Sequence, residues 1–504
     1  MAADNILVLD EGTTSTRAIL FAPDGSPLHV AQQELTQYYP APGWVEHDAA
    51  EIWERTLVVA REVIAAAGGP DAVAAIGITN QRETVVAWDK GTGNPLARAI
   101  VWQDRRTAPF CADMREAGHE AAVQETTGLL LDPYFSGTKM RWLLDNVPAV
   151  AEAEQAGTLA LGTIESWLAW NLTGGAHISD ATNASRTQLL GLASGTWDEG
   201  LCDLLGVPRN ALPQVVDCAG ALGVTNPDLF GAPLPICGLA GDQQAATIGQ
   251  GCLTVGDSKA TYGTGAFVLS NMGRVIPRSA NRLLGTVLWQ LGGERHYALE
   301  GSIFVAGSLV KWLRDQMGLI ADAAETASLA ASVADSAGVT VVPALSGLGA
   351  PHWKPDARAT ISGLSFASDK AHLVRAALES MAHQTHDLAS AFAADGARWT
   401  RLRIDGGMSA NDWIAQDLAD ILALDVARPA YVETTALGAG MLAAYGVGLY
   451  PSLADAAAAM GSATRNFTPA MEESVRRERL ARWHLALEGL SRLTPPSDVA
   501  DRPA

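Results

Sequence analysis

The residues best suited to chemistry lie in short glycine-containing stretches that each follow an apolar run. The first is DEGTTSTR, residues 10–17. Residues 6–9 are continuously apolar, as in a strand buried on both faces, and a second apolar run covers 18–21. This spacing predicts a hairpin with a hydroxyl- and glycine-rich tip. Such a tip can aim backbone N–H groups and hydroxyls at phosphate oxygens. Asp10, at its base, could hold a hydrated Mg²⁺. The same residues also suit a surface hairpin with a polar turn. Gly263-Thr264-Gly265 repeats the strand–tip–strand pattern, and Gly406-Gly407 follows a short apolar strand at 402–405. Each is by itself a common turn. Together they fit a nucleotide held between two domains that each supply a phosphate tip. The chain has no G-x-x-x-x-G-K-[ST] stretch and no G-x-G-x-x-G between strand and helix. Two further polar stretches stand out, Asn80-Gln81-Arg82-Glu83 between strand-like runs and Asp242-Gln243-Gln244 at the head of an Ala-rich helix.

The elements that must position these residues follow from size and pattern. At 504 residues the chain predicts two domains of roughly 150–250 residues. Hairpins followed by helices indicate an α/β architecture with mixed sheets. The recurrence of the first domain's pattern after about residue 256 is a weak internal repeat and suggests a duplicated architecture. The expected division is 1–248, 249–450 and a C-terminal piece, 451–504, of helices and flexible tail. Asp48 and Glu51 form a capping-box pattern for a helix from Ala49 to Gly68-Gly69. Further helices are predicted near 301–317, over 371–394 and to about Tyr445, and a last one is capped by Thr468-Pro469. Residues after Leu493 read as a frayed tail.

Charge and cysteine usage exclude some functions. A net charge of −20 opposes nonspecific binding to nucleic acid or an anionic membrane, and any anionic substrate would need a local positive site. The five cysteines show no C-x-x-C pair or metal spacing, which fits buried thiols in a reducing compartment. No basic leader and no run of 18 apolar residues occurs. The expectation is a soluble cytoplasmic protein that neither enters a membrane nor binds nucleic acid.

The chain resembles the FGGY carbohydrate kinases from about residue 5 to 450. The stretches that carry the resemblance are DEGTTSTRAI (10–19), NQRETVVAW (80–88), AIVWQDRRT (99–107), DPYFSGTKMRW (132–142), SDATNASRT (179–187), LAGDQQAA (239–246), YGTGAF (262–267), GLGAPHW (347–353) and DGGMSANDW (405–413). They stand in the family's order and are most similar to its glycerol-phosphorylating members. The resemblance implies two ribonuclease H-like domains of the actin, heat-shock ATPase and sugar kinase type around a catalytic cleft. It implies ATP as phosphoryl donor, Mg²⁺, glycerol as substrate, and a homodimer or homotetramer. The alternative within the family is another small polyol or ketose.

Roles follow by matching positions. Arg82 and Glu83 match a polyol clamp in which Arg donates and Glu accepts. Tyr134 matches a residue bonding a substrate hydroxyl, and Trp102 and Phe267 match apolar walls against the carbon chain. Asp242 matches the catalytic base, with Gln243 assisting substrate binding. Thr13, Thr14, Ser15 and Arg17 match the first phosphate tip and Thr264 the second. Gly307, Gly407 and Asn411 match contacts to the nucleotide, and Asp10 matches the residue that holds Mg²⁺ through water. Four departures matter. Glu11 replaces a common Gln and is expected to add negative charge near the phosphates. Lys311 replaces a Gln near the nucleotide, and Asp104 falls where members vary. The loop 226–233 lacks the Gly-Gly-x-Arg pattern that binds fructose 1,6-bisphosphate in some bacterial members, so that inhibition is expected to be absent.

Overall fold

The computed structural model describes residues 4–354, 356–431 and 433–493. The apolar runs become the inner strands of two sheets. The first sheet runs in the order Ala219–Val224, Pro235–Gly241, Val73–Asn80, Asn5–Glu11, Ser15–Phe21, Pro27–Glu34. The last three strands form an antiparallel meander, Val73–Asn80 and Pro235–Gly241 join in parallel, and the far edge strand is antiparallel. The second sheet runs Leu284–Leu291, Glu294–Ile303, Ala266–Gly273, Asp257–Tyr262, Arg401–Asp405, Val426–Pro429, Thr464–Phe467. From Glu294–Ile303 onward its pairings repeat those of the first sheet: antiparallel, antiparallel, parallel, parallel, antiparallel. The fold is therefore a two-unit α/β fold of duplicated ribonuclease H-like sheets, and Leu284–Leu291 is an added edge strand. Among the described residues no helix is long and apolar enough to cross a membrane.

Several expected elements differ. Residues 301–303 end the strand Glu294–Ile303 rather than starting a helix, because they pair with 266–268 of the neighbouring strand, and the helix begins only at Gly307 and ends at Asp315. The last helix is Glu473–Leu493. Thr468-Pro469 does not start it, because Ala470 and Met471 donate their N–H groups to Asp420 and hold that stretch as a loop. Asp48 caps the helix Ala49–Ala66 through the Ala50 and Glu51 N–H groups, whereas Glu51 turns to the Thr36 hydroxyl, so the capping box is only half formed. In the loop 226–233 the helix residue Arg61 donates to the Leu229 carbonyl at 2.9 Å, so the fold brings one cation there. The tail after Leu493 lies outside the described residues.

The two halves meet at a helix crossing. Asp242–Gly249 follows the parallel strand Pro235–Gly241 of the first sheet, and Thr434–Gly446 follows Val426–Pro429 of the second. Small residues let the two backbones touch. A Cβ on Gly438 would fall 1.8 Å from the Ala245 carbonyl oxygen, and one on Gly249 would fall 1.9 Å from that of Thr434. Neither obstacle is a side chain that can rotate away, so one of the helices would have to move. Gly438→Ala is expected to destabilise the protein by about 1–3 kcal/mol or more. Calorimetry should show a lower unfolding midpoint, and an unchanged midpoint would mean that the crossing is loose.

Candidate active site

The crossing carries Asp242 on the first residue of its helix, directly after the buried strand Pro235–Gly241. The junction is pinned from behind. The Gly241 N–H donates to the Thr182 hydroxyl at 2.9 Å, and Thr182 in turn donates to Asp180. Asn183 bonds both Asp180 and Asn80, the residue that ends the neighbouring strand. The hydroxyl-rich stretch 178–190 is thus a buried polar support for two strand ends.

In front of this junction Asp242, Gln243, Arg82 and Glu83 enclose a small cavity with Trp102, Tyr134, Phe267 and Thr13. All seven residues expected to bind substrate are brought together, and Thr13 joins them from the first tip. The aromatic walls meet edge to face, Trp102 with Tyr134 at 5.7 Å and with Phe267 at 6.3 Å between ring centroids. The Trp102 indole N–H donates to the Thr13 hydroxyl at 2.9 Å. The cavity volume is about 40 Å³. At roughly 10–15 Å³ for each water-sized group, it accepts three or four such groups.

The charges around this cavity form a closed network. Arg82 is buried and donates to Glu300 through both terminal nitrogens, at 2.6 and 3.1 Å. Arg186 donates to the same Glu300 at 2.9 Å and to Glu83 at 2.6 Å. The clamp therefore differs from expectation. Much of the Arg82 guanidinium is already committed to Glu300 and to Gln244, and its remaining edge faces Tyr134 at 3.4 Å and Asp242 at 3.3 Å. Among the described residues Glu83 Oε2 has no hydrogen bond, which leaves it open as an acceptor. The Glu83 backbone has φ of 62°, a conformation that side-chain-bearing residues adopt at a cost. Buried Lys139 and Ser136 both donate to its carbonyl oxygen, and Lys139 also donates to that of Tyr134. One ammonium thereby fixes two cavity residues. Burial pulls the Lys139 amine down to about 7, against the pull of Glu83.

Asp242 Oδ1 accepts the Gln243 N–H at 2.7 Å, and among the described residues Oδ2 has no partner. Burial pushes the Asp242 carboxyl up to about 6, with Arg82 and Lys259 opposing and Glu83 adding to the rise. Lys259, buried in a strand of the second sheet, donates to the side chains of Gln243 and Thr261. A carboxylate with one oxygen fixed, the other open and a raised pKa is suited to take a proton from a bound hydroxyl. Glu300, Arg186, Lys139 and Lys259 are the residues missed by sequence reasoning. Their signal was a charge inside an otherwise apolar or hydroxyl-rich stretch.

Both tips leave glycines and hydroxyl-bearing residues partly or fully exposed. In the first, the carbonyls of Gly12, Thr13, Thr14 and Ser15 all accept hydrogen bonds from the fold, so Thr13, Thr14 and Ser15 can present N–H groups and hydroxyls outward. Arg17 bridges Asp10 and Glu433 at 2.5 Å each. In the second tip Thr264 is exposed, and the Gly307 N–H donates to the Gly263 carbonyl at 2.9 Å. Gly406 packs on the Tyr262 backbone beside exposed Gly407, so Thr264, Gly307 and Gly407 share one corner. Lys311 lies exposed one turn beyond Gly307. The Asn411 side chain is engaged in the fold, capping the helix Asp412–Leu422 and donating to Thr326.

Two expected departures change meaning. Glu11 is buried on the opposite face of its strand from Asp10 and accepts from Thr56 at 2.9 Å. Burial pushes its carboxyl up to about 8, so at pH 7 it is mostly protonated and adds little charge near the first tip. Asp104 accepts from the Val45 N–H and from Arg106, whose guanidinium lies over the Trp44 ring at 3.8 Å. It braces the segment carrying Trp102.

The model of the FGGY family of carbohydrate kinases matches residues 5–249 with its N-terminal domain and 258–447 with its C-terminal domain. A glycerol kinase of Methylobacterium nodulans is 54% identical over 488 residues, covering 96% of this chain and 97% of that protein. One from Rhodospirillum rubrum is 53% identical over 481 residues, covering 95% and 97%. The crystal structure of Plasmodium falciparum glycerol kinase with ADP superposes with a TM-score of 0.92 at 35% identity, covering 96% of this chain and 98% of that one.

Proposed function

The chain belongs to the FGGY family of carbohydrate kinases, and from that we propose that it transfers the γ-phosphoryl group of ATP to glycerol, giving sn-glycerol 3-phosphate, the first step of glycerol catabolism. The observation that carries this reading is the cavity. Its aromatic walls suit a carbon chain, and Arg82, Glu83 and Asp242 supply donors and acceptors for hydroxyls.

Phosphoryl transfer asks the protein mainly for alignment and charge stabilisation. Glu83 Oε2 and the free edge of Arg82 fix the hydroxyls that do not react. Asp242 Oδ2 takes the proton of the hydroxyl that does. Thr13, Thr14 and Ser15 face the transferred phosphoryl group from one side, and Thr264, Gly307 and Gly407 hold the rest of the nucleotide, with Lys311 adding a cation. The Asn411 side chain serves this site through the helix it caps. Asp10 fits a Mg²⁺ held through water: it is a buried carboxylate at the base of the tip and is already paired with Arg17. The ion would neutralise charge between phosphate oxygens.

We place the enzyme in the cytoplasm, in keeping with five free buried cysteines. A homodimer or homotetramer would cover Leu364 and Phe366, which stand exposed ahead of the long helix Lys370–Ala394. The units 1–248 and 249–450 each carry one tip; of the C-terminal piece 451–504, the strand Thr464–Phe467 joins the second sheet. Arg61 is a single cation against two phosphates, so fructose 1,6-bisphosphate inhibition remains unexpected.

An ADP-release assay against glycerol, erythritol, xylulose, ribulose and gluconate tests the substrate. Glycerol is expected to exceed each of the others in kcat/KM by about 10²-fold or more. A five-carbon ketose turned over best would contradict the reading. Asp242→Asn is expected to lower kcat by about 10²–10⁴-fold while ATP binding is kept. Because the base must be ionised and its pKa lies near 6, wild-type kcat/KM should fall about tenfold per pH unit below 6 and level off above it. Near wild-type turnover in the variant would remove Asp242 from the role of base.

A further inference from the structure

Far in sequence from these residues, the second half gathers four of the chain's ten histidines around one carboxylate. His383, His386 and Asp387 lie on the helix Lys370–Ala394, His484 on the helix Glu473–Leu493, and His352 in the loop between strands. Asp387 is the centre. Its Oδ2 accepts from the Trp483 indole N–H at 2.7 Å and pairs with His352 Nε2 at 3.0 Å. Its Oδ1 lies 3.1 Å from His484 Nε2 and 4.0 Å from His386 Nδ1. His386 Nδ1 is buried and has no hydrogen-bond partner among the described residues. A buried ring nitrogen without a partner is costly in a folded protein, and a ligand that accepts its lone pair would relieve that cost.

We propose that His386, Asp387 and His484 form a binding site for a borderline divalent transition ion, of which Zn²⁺ is the representative. The three donor atoms lie within 4.8 Å of one another. Donors about 2.0–2.2 Å from a shared tetrahedral ion stand roughly 3.3 Å apart, so the set closes on an ion when its separations shorten by up to about 1.5 Å through side-chain rotation. His484 is half exposed and free to make that adjustment. Its exposure also leaves a fourth position open to water. Two imidazoles and one carboxylate favour Zn²⁺ and its neighbours over Mg²⁺, which prefers oxygen.

The surroundings match a supported metal site. Trp483 and His352 hold the other carboxylate oxygen and so orient Asp387 toward the two imidazoles. The Trp483 ring is fully buried and stacks on His383 at 5.4 Å, which fixes the wall behind the site. An ion here would fasten the last helix to the long helix. Because His352 sits in the loop that returns to Ser302 through the Ala350 N–H, it would also steady the approach to the second tip.

The test uses the full-length, untagged protein, stripped with a chelator and titrated with Zn²⁺ by calorimetry, with thermal unfolding as a second readout. One ion per chain is expected, together with a rise in the unfolding midpoint. His484→Gln and His386→Gln should each weaken binding at least about tenfold and remove the midpoint rise. His29→Gln, on a strand of the other half, should change neither. His484 is half exposed, so its variant folds even if that of His386 does not. Absence of stoichiometric binding by the wild type overturns the proposal, as does binding that His484→Gln leaves unchanged.

Discussion

The site rests on a buried ion pair that joins the two halves of the chain. Glu300, from the second sheet, receives both terminal nitrogens of Arg82, which stands at the end of a strand of the first. Neither side chain is more than marginally exposed. Taking these charges out of water costs several kcal/mol each, and that cost is met only if every charge is matched and hydrogen bonded. The protein meets it with a ring in which Glu300 is shared by Arg82 and Arg186, Arg186 by Glu300 and Glu83, and Glu83 lies 3.8 Å from Arg82. Asp242, 3.3 Å from Arg82, and Lys259 add one further charge of each sign beside this ring. Such a ring is stiff, because displacement of any member leaves another charge buried without a partner.

That stiffness explains how a cavity made from distant segments keeps its shape. Arg82 and Glu83 sit on one strand end, Tyr134 and Trp102 on loops, Asp242 on a helix start and Phe267 on the other sheet. The crossing of Asp242–Gly249 with Thr434–Gly446 places Asp242 at the seam, and the ion pair ties that seam to the second sheet. Lys139 and Lys259 act similarly, each ammonium bridging groups that line or border the cavity. The same burial that makes the network costly raises the Asp242 pKa into the range where a carboxylate is a useful base near neutral pH.

Much of this was legible in the sequence where chemistry sits at punctuation. Asp10, the 12–16 tip, Arg82, Glu83 and Asp242 each follow an apolar run, and that signal survives without knowledge of the fold. The duplicated sheet was legible for the same reason, through strand–tip–strand recurring after residue 256. Glu300 and Arg186 were not, because their meaning depends on partners 218 and 103 residues away in the chain. Glu11 was misread because strand alternation turns it away from its neighbour Asp10, and burial then discharges it. Residues 301–303 read as the start of a helix because their strand character comes from a neighbouring strand and not from local periodicity.

The central claim is that Glu300 sets the direction of Arg82 and thereby the fit of the polyol. The most direct measurement is the steady-state kinetics of Glu300→Gln, which keeps the shape of the side chain but removes its charge. Loss of a charged hydrogen-bond partner costs roughly 1.5–3 kcal/mol, so kcat/KM for glycerol should fall about 10–150-fold while the KM for ATP stays the same. A folded variant with unchanged kcat/KM for glycerol would contradict the account.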